Sequence, residues 1–189
     1  WAQRLCIRSS GNIYNQSLVA SIIASNGEKS ATSFARGVVN NMARPPAGGD
    51  RDQIRAVAAG VCDIAIANTY YLVGMLKSAD SSEVAAAKKV NVFWPNQNDR
   101  GTHINISGAG VTKNAKNTES AIQLMEFLIT PEVQEWYANI NGEYPVIEGI
   151  SPSPTLAVWG DFKHDSINLS LFGKLNAKAV QIMDKVGWR

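Results

Sequence analysis

Two short apolar runs, each passing at once through a polar turn into a helix, restrict this chain most. Arg4 to Ser9 reads as a strand, and Ser10, Gly11 and Asn12 turn it into a helix with Leu18, Val19, Ile22 and Ile23 on one face. Cys62 to Ala67 is a second run, dense in apolar residues as buried parallel strands are, and Thr69 onward turns helical through Leu72 and Leu76. Between them, Asn26 and Gly27 are expected to end the first helix, and a second, Lys29 to Met42, carries Phe34, Val38 and Met42 in register. Two Pro and two Gly mark Arg44 to Gly49 as a loop. Asp50 and Gln53 have the spacing of a capping box for a helix that Gly60 stops.

Further along, Ser82 to Lys88 reads as a small helix, and Val90 to Trp94 and His103 to Ser107 read as strands. Two helices follow, one with Ala121, Leu124, Met125 and Leu128 at helical spacing, the other started by Pro131 and carrying Val133, Trp136, Tyr137 and Ile140. Residues 143–168 are irregular, and a last helix carries Phe172, Leu175, Ala179, Ile182, Met183 and Val186. The alternation predicts an α/β fold with a mostly parallel sheet and flanking helices.

Charge narrows the function classes. The formal net charge of +2 comes from interspersed acids and bases, so no one-signed field points to nucleic acid or an acidic membrane surface. No long uncharged apolar run predicts a membrane-spanning helix. A strand pattern within the first ten residues, behind Trp1 and without Met or signal peptide, predicts that the chain is cut from something longer. The only two cysteines, Cys6 and Cys62, sit near the starts of the two apolar runs. Neighbouring parallel strands would bring them within disulfide reach; two small buried thiols is the other reading, and the spacing leaves both open.

In open α/β sheets the ligand crevice lies beyond the carboxyl ends of the strands. Both strand-to-helix junctions put tyrosine there: Tyr14 after Arg8-Ser9-Ser10-Gly11-Asn12-Ile13, and Tyr70 and Tyr71 after Asn68-Thr69. Small polar residues are the usual choice, because they cap the coming helix. One explanation is a hard, highly charged cation such as Fe³⁺, which prefers hard oxygen donors. A free phenol keeps its proton until about pH 10. A bound trivalent ion drives that proton off, and three phenolates balance its charge. The other explanation is that the rings pack, or stack on an organic ligand.

The run Arg8-Ser-Ser-Gly-Asn-Ile-Tyr14-Asn-Gln-Ser17 resembles the ferric-ion-binding proteins of bacterial iron importers, in particular the cyanobacterial iron-deficiency-induced group. So does the stretch from Ala43-Arg-Pro-Pro through Gly48-Gly-Asp-Arg-Asp-Gln53 to Asp63-Ile-Ala-Ile-Ala-Asn-Thr-Tyr-Tyr71, and His103-Ile-Asn-Ile-Ser-Gly-Ala-Gly110 and Glu143-Tyr-Pro-Val146 are similar too. The resemblance implies a type II periplasmic-binding-protein fold, two α/β lobes around a cleft, here with an incomplete two-lobe architecture. It implies a non-enzymatic periplasmic receptor that binds Fe³⁺ through Tyr14, Tyr70 and Tyr71 and hands it to an ABC permease at the inner membrane. Some relatives hold a small anion at the first helix N-terminus, matching Ser10, Gly11, Asn12 and Asn68 here, so a same-fold receptor for a small anion or organic ligand is the alternative. Residues 1–100 and 151–189 correspond to the C-terminal lobe, and 101–150 to a segment returning to the N-terminal lobe. The resemblance further implies an N-terminal stretch, with further ligands, that lies outside these 189 residues. The helices bearing Met125 and Trp136 are therefore expected to expose apolar faces, or to bury them in a dimer or a rearranged packing.

The remaining candidates read as structural. His103 begins a strand and His164 lies in a charged loop; Tyr137 and Tyr144 suit packing. Asp161, Asp165 and Asp184 are too scattered for a calcium loop. Ser9 and Ser10 lack a nucleophile elbow, and Gly48-Gly49 lacks the lysine of a phosphate-binding loop.

Overall fold

A computed structural model describes residues 2–189. In chain order the elements are β1 (Leu5–Cys6), α1 (Ile13–Asn41), α2 (Asp50–Ala58), β2 (Ile64–Ala65), α3 (Thr69–Leu76), α4 (Ser81–Ala87), α5 (Thr118–Leu128), α6 (Pro131–Ile140), α7 (Pro154–Ala157) and α8 (Ser170–Val186). The chain divides into two compact units. One runs to Asn105 and resumes over Phe162–Arg189; the other is Ile106–Asp161. The lobe boundaries that the resemblance implies fall after residues 100 and 150.

The first unit is built on the long helices. Val19, Ala20, Ile22, Ile23, Ala31, Ala35 and Val38 of α1 pack with Ala179, Ile182 and Met183 of α8, closed by Ile7 and Trp188. These positions recur every three to four residues, so they form one apolar stripe on each helix. Gly27 breaks the helical geometry where the sequence predicts one helix to end and a second to begin, and the two segments follow each other closely enough to form one span. Gly27 sits inside that α1 span with φ 82° and ψ 166°, a non-helical link that only glycine enters without steric cost, and it kinks two helical segments end to end.

The sheet is parallel, with Leu5 opposite Ile64 and Cys6 opposite Ala65. Its strands are two residues each rather than the six expected for each run. Val90–Trp94 and His103–Ser107 form no strand; that region contributes one isolated bridge, Thr102 with His164. A strand persists only where a neighbour accepts its backbone hydrogen bonds, and apolar composition does not supply one. Gly101, at φ 98°, lets this loop approach the chain closely: a Cβ there would lie 2.7 Å from the His164 backbone.

Cys6 and Cys62 form a disulfide with Cα atoms 5.9 Å apart, both buried. It ties the end of β1 to the residues leading into β2. The cap of α2 falls one residue earlier than expected. The Asp52 carboxylate accepts from the Gly49 N–H at 2.6 Å, while the Gln53 amide donates to the Ala47 and Gly49 carbonyls. Asp50 is left free of capping and becomes buried at 3 % exposure.

The second unit has a smaller core. Val133 and Ala138 of α6 and Leu156 of α7 are buried, and Gln134 bridges its loops by donating to the Leu128 carbonyl and accepting from the Val146 N–H. No residue of α5 is buried; Leu124, Phe127, Trp136 and Ile140 are all more than half exposed. No helix among the described residues is long and apolar enough to cross a membrane.

Candidate metal centre

The parallel register sets the carboxyl ends of β1 and β2 side by side, so the two turns that leave them are neighbours. In the first turn the Asn12 N–H donates to the Ser9 carbonyl and the Gly11 N–H to Ser9 Oγ. Asn12 caps α1 by accepting from the Tyr14 N–H at 3.0 Å, and the Asn15 amide donates to the Arg8 and Ser9 carbonyls. This capping places Tyr14 in the first turn of α1. In the second turn Asn68 occupies the N-cap position of α3 in extended backbone, and Tyr70 and Tyr71 follow in the first helical turn.

The tyrosines meet. The Tyr14 and Tyr70 hydroxyls are 2.7 Å apart, their rings edge to face at 6.5 Å. The Tyr70 and Tyr71 rings lie 4.2 Å apart at 31°. All three side chains are half-buried. Burial, then hydrogen bonds to Tyr14 and Tyr71, hold the Tyr70 phenol above its ordinary pKa. Among the described residues no group of three His, Cys, Asp or Glu side chains could hold a metal ion, so the phenols are the oxygen donors gathered here.

Cations flank one side of the cluster. The Arg8 guanidinium donates to Asp50 Oδ1 at 3.1 Å, and Arg51 Cζ stands 5.7 Å from the centroid of the Tyr71 ring. Burial draws the Arg8 pKa down, but the Asp50 carboxylate and, less strongly, Tyr71 outweigh it and hold the guanidinium above its ordinary value. The second oxygen of Asp50 accepts from the Asn68 N–H at 3.0 Å. Beside the first turn an open cavity of about 510 Å³ is lined by Arg8, Ser9, Gly11, Asn12, Ile13 and Gly48.

A polar chain runs from these turns to the end of the first unit. Asn105 donates to Asn68 Oδ1 at 3.0 Å and accepts from Ser17 Oγ at 2.5 Å. His103 Nε2 lies 3.2 Å from Ser17 Oγ, and its ring stands edge-on to Phe172. Burial first, and the nearby Arg100 charge second, push the His103 pKa down to about 4. His103 is thus a packed neutral imidazole at neutral pH, and His164 is exposed. Asp50, Arg51 and Asn105 escaped sequence reasoning as parts of this site. Asp50 carried only a capping signal, and nothing in a single sequence separates a capping acid from a buried one.

Comparison with known proteins gives the family. Residues 9–164 match the model of the bacterial extracellular solute-binding proteins. The chain is 46 % identical to iron uptake protein A1 of Synechocystis, covering 100 % of this chain and 52 % of that protein. Against iron uptake protein A2 of the same organism it is 44 % identical, covering 100 % and 55 %. It superposes on the Trichodesmium IdiA/FutA structure in complex with iron and citrate ligands with a TM-score of 0.96 at 52 % identity, covering 100 % of this chain and 60 % of that one. For the ferric binding protein of Campylobacter jejuni the TM-score is 0.95 at 40 % identity, with the same coverage. The chain spans about half the length of the curated relatives it matches. With the family model matched over most of its residues and a fold superposable on solved members, the chain belongs to the bacterial extracellular solute-binding proteins.

Proposed function

We propose that this chain is the tyrosine-bearing part of the periplasmic receptor of an ABC-type iron importer. It would take Fe³⁺ as cargo through the phenolates of Tyr14, Tyr70 and Tyr71 and deliver it to a permease in the inner membrane. The observation that carries this reading is the approach of the Tyr14 and Tyr70 hydroxyls to 2.7 Å, with the Tyr71 ring against Tyr70. Two phenol oxygens from separate turns share one small volume, the geometry that a single hard cation needs. Loading replaces protons by the ion, so binding weakens as protons compete. The relatives named for iron uptake and ferric-ion binding support the same cargo.

The small-anion alternative is disfavoured by the N–H groups it would need. Of the four matching positions, the N–H groups of Gly11 and Asn12 are bonded to Ser9 and that of Asn68 to Asp50, so an anion drawn to these three would have to displace internal partners. Three phenolates leave coordination positions open on a ferric ion, and we assign the remaining ligands to chain outside these 189 residues. We read residues 101–150 as the segment that returns to the other lobe, with the exposed apolar side chains of α5 and α6 as its docking face or as a face for self-association.

The test is titration of the purified chain with a ferric chelate, followed by visible absorbance, since phenolate-bound ferric iron is coloured. The parent gains a visible band and the Tyr14→Phe, Tyr70→Phe, Tyr71→Phe triple variant does not. Equal binding by the triple variant would refute the assignment.

A further inference from the structure

The two tyrosine-bearing turns belong to different strands, and something must hold them at one spacing. Asp50 touches both. Its Oδ1 accepts from Arg8 Nη1 at 3.1 Å, and Arg8 opens the turn that ends at Tyr14. Its Oδ2 accepts from the Asn68 N–H at 3.0 Å and from the Asn68 side-chain amide at 3.4 Å, two residues before Tyr70. The carboxylate is 3 % exposed, and its paired Arg8 side chain is 25 % exposed. The far ends of the clasp are themselves fixed. The Arg8 carbonyl accepts from Trp188 Nε1 and from the Asn15 amide, and the Asn68 carbonyl oxygen of the side chain accepts from Asn105.

We propose that Asp50 is the positioning residue of the tyrosine site, clasping the two tyrosine-bearing turns together through its two carboxylate oxygens. A buried carboxylate is costly unless every lone pair facing the protein is matched, and here the matching groups come from the two segments whose spacing matters. The shape is not what counts. An Asn at this position keeps an acceptor for the Asn68 N–H but offers Arg8 no charge, so one arm of the clasp opens. The inference rests on the reading of the tyrosines as ferric ligands.

The experiment compares the parent, Asp50→Asn and Asp50→Ala in the full chain loaded with a ferric chelate. Visible band position and the rate of iron release to excess competing chelator are read together with the thermal midpoint. Asp165→Asn is the control, since it breaks a comparably buried pair with Arg100 away from the tyrosines. Asp50→Asn is expected to weaken iron retention about ten- to hundredfold, the effect usual for groups that orient metal ligands, and to displace the band. Asp50→Ala does more, and if it does not fold the Asn variant decides. Asp165→Asn is expected to lower the midpoint while leaving band and release rate alone. An Asp50→Asn chain with the parent's band and release rate overturns the inference, as does an Asp165→Asn chain that changes both equally. A parent with no visible band removes the tyrosine reading itself, and this inference with it.

Discussion

Tyr14 and Tyr70 stand 56 positions apart in the chain, yet their hydroxyls share a 2.7 Å hydrogen bond. In that contact one phenol donates and the other accepts. An ion that enters must break it and take both oxygens, so each of the two residues should matter by itself. Tyr14→Phe and Tyr70→Phe are each expected to lose more ferric affinity than the roughly ten- to hundredfold that outer partners contribute. Competition against a chelator of known strength checks this; a single variant that matches the parent removes that residue from the site.

The raised Tyr70 phenol also affects the metal-free chain at alkaline pH. Its folded-state pKa lies above the unfolded value, so the folded state holds the proton more tightly. The resulting stability is complete below about pH 10, the ordinary tyrosine value, and is lost as pH rises through the folded value. Urea midpoints at pH 9 and pH 11 should therefore fall further for the parent than for Tyr70→Phe. Equal slopes would mean that the phenol proton is not held by the fold.

His103 acts in the opposite pH range. Its pKa is pushed from 6.5 down to about 4, so the unfolded chain binds a proton more readily than the folded one. The contribution is complete above about pH 6.5 and is lost as pH falls toward 4, on the order of 3 kcal/mol in all. His103→Gln should flatten the pH dependence of unfolding over this window. A variant as acid-sensitive as the parent would assign the acid response elsewhere.

The buried Cys6–Cys62 disulfide closes a loop with a sequence separation of 56. Loop-closure entropy gives such a cross-link about 4 kcal/mol of stability. The double Cys6→Ser, Cys62→Ser variant should lose roughly that amount in denaturant unfolding. Thiol titration of the unreduced, denatured parent should find no free thiol.

The site and its frame were legible to different degrees. Helix periodicity showed the stripe of Val19, Ile22 and Ile23 and that of Ala179, Ile182 and Met183, because side chains three and four apart share a face whatever the rest of the chain does. The same local logic put Tyr14, Tyr70 and Tyr71 at strand-to-helix turns. Strand lengths were overestimated, since a strand's extent depends on a distant neighbour for its hydrogen bonds. The break at Gly27 between two helical segments was legible too, because a glycine with positive φ interrupts helical geometry locally.

What the amino-acid order alone determined was local: which residues are helical, which turns carry phenols, and that two cysteines precede the same kind of junction. Only the tertiary structure decided that the cysteines are bonded, that Asp50 is buried between Arg8 and Asn68 rather than capping a helix, and that Tyr14 meets Tyr70. The physical reason is range. Periodicity and capping act over a few residues, whereas each of these contacts joins groups at least 18 positions apart and forms only after the parallel pairing of β1 with β2 has set the turns side by side.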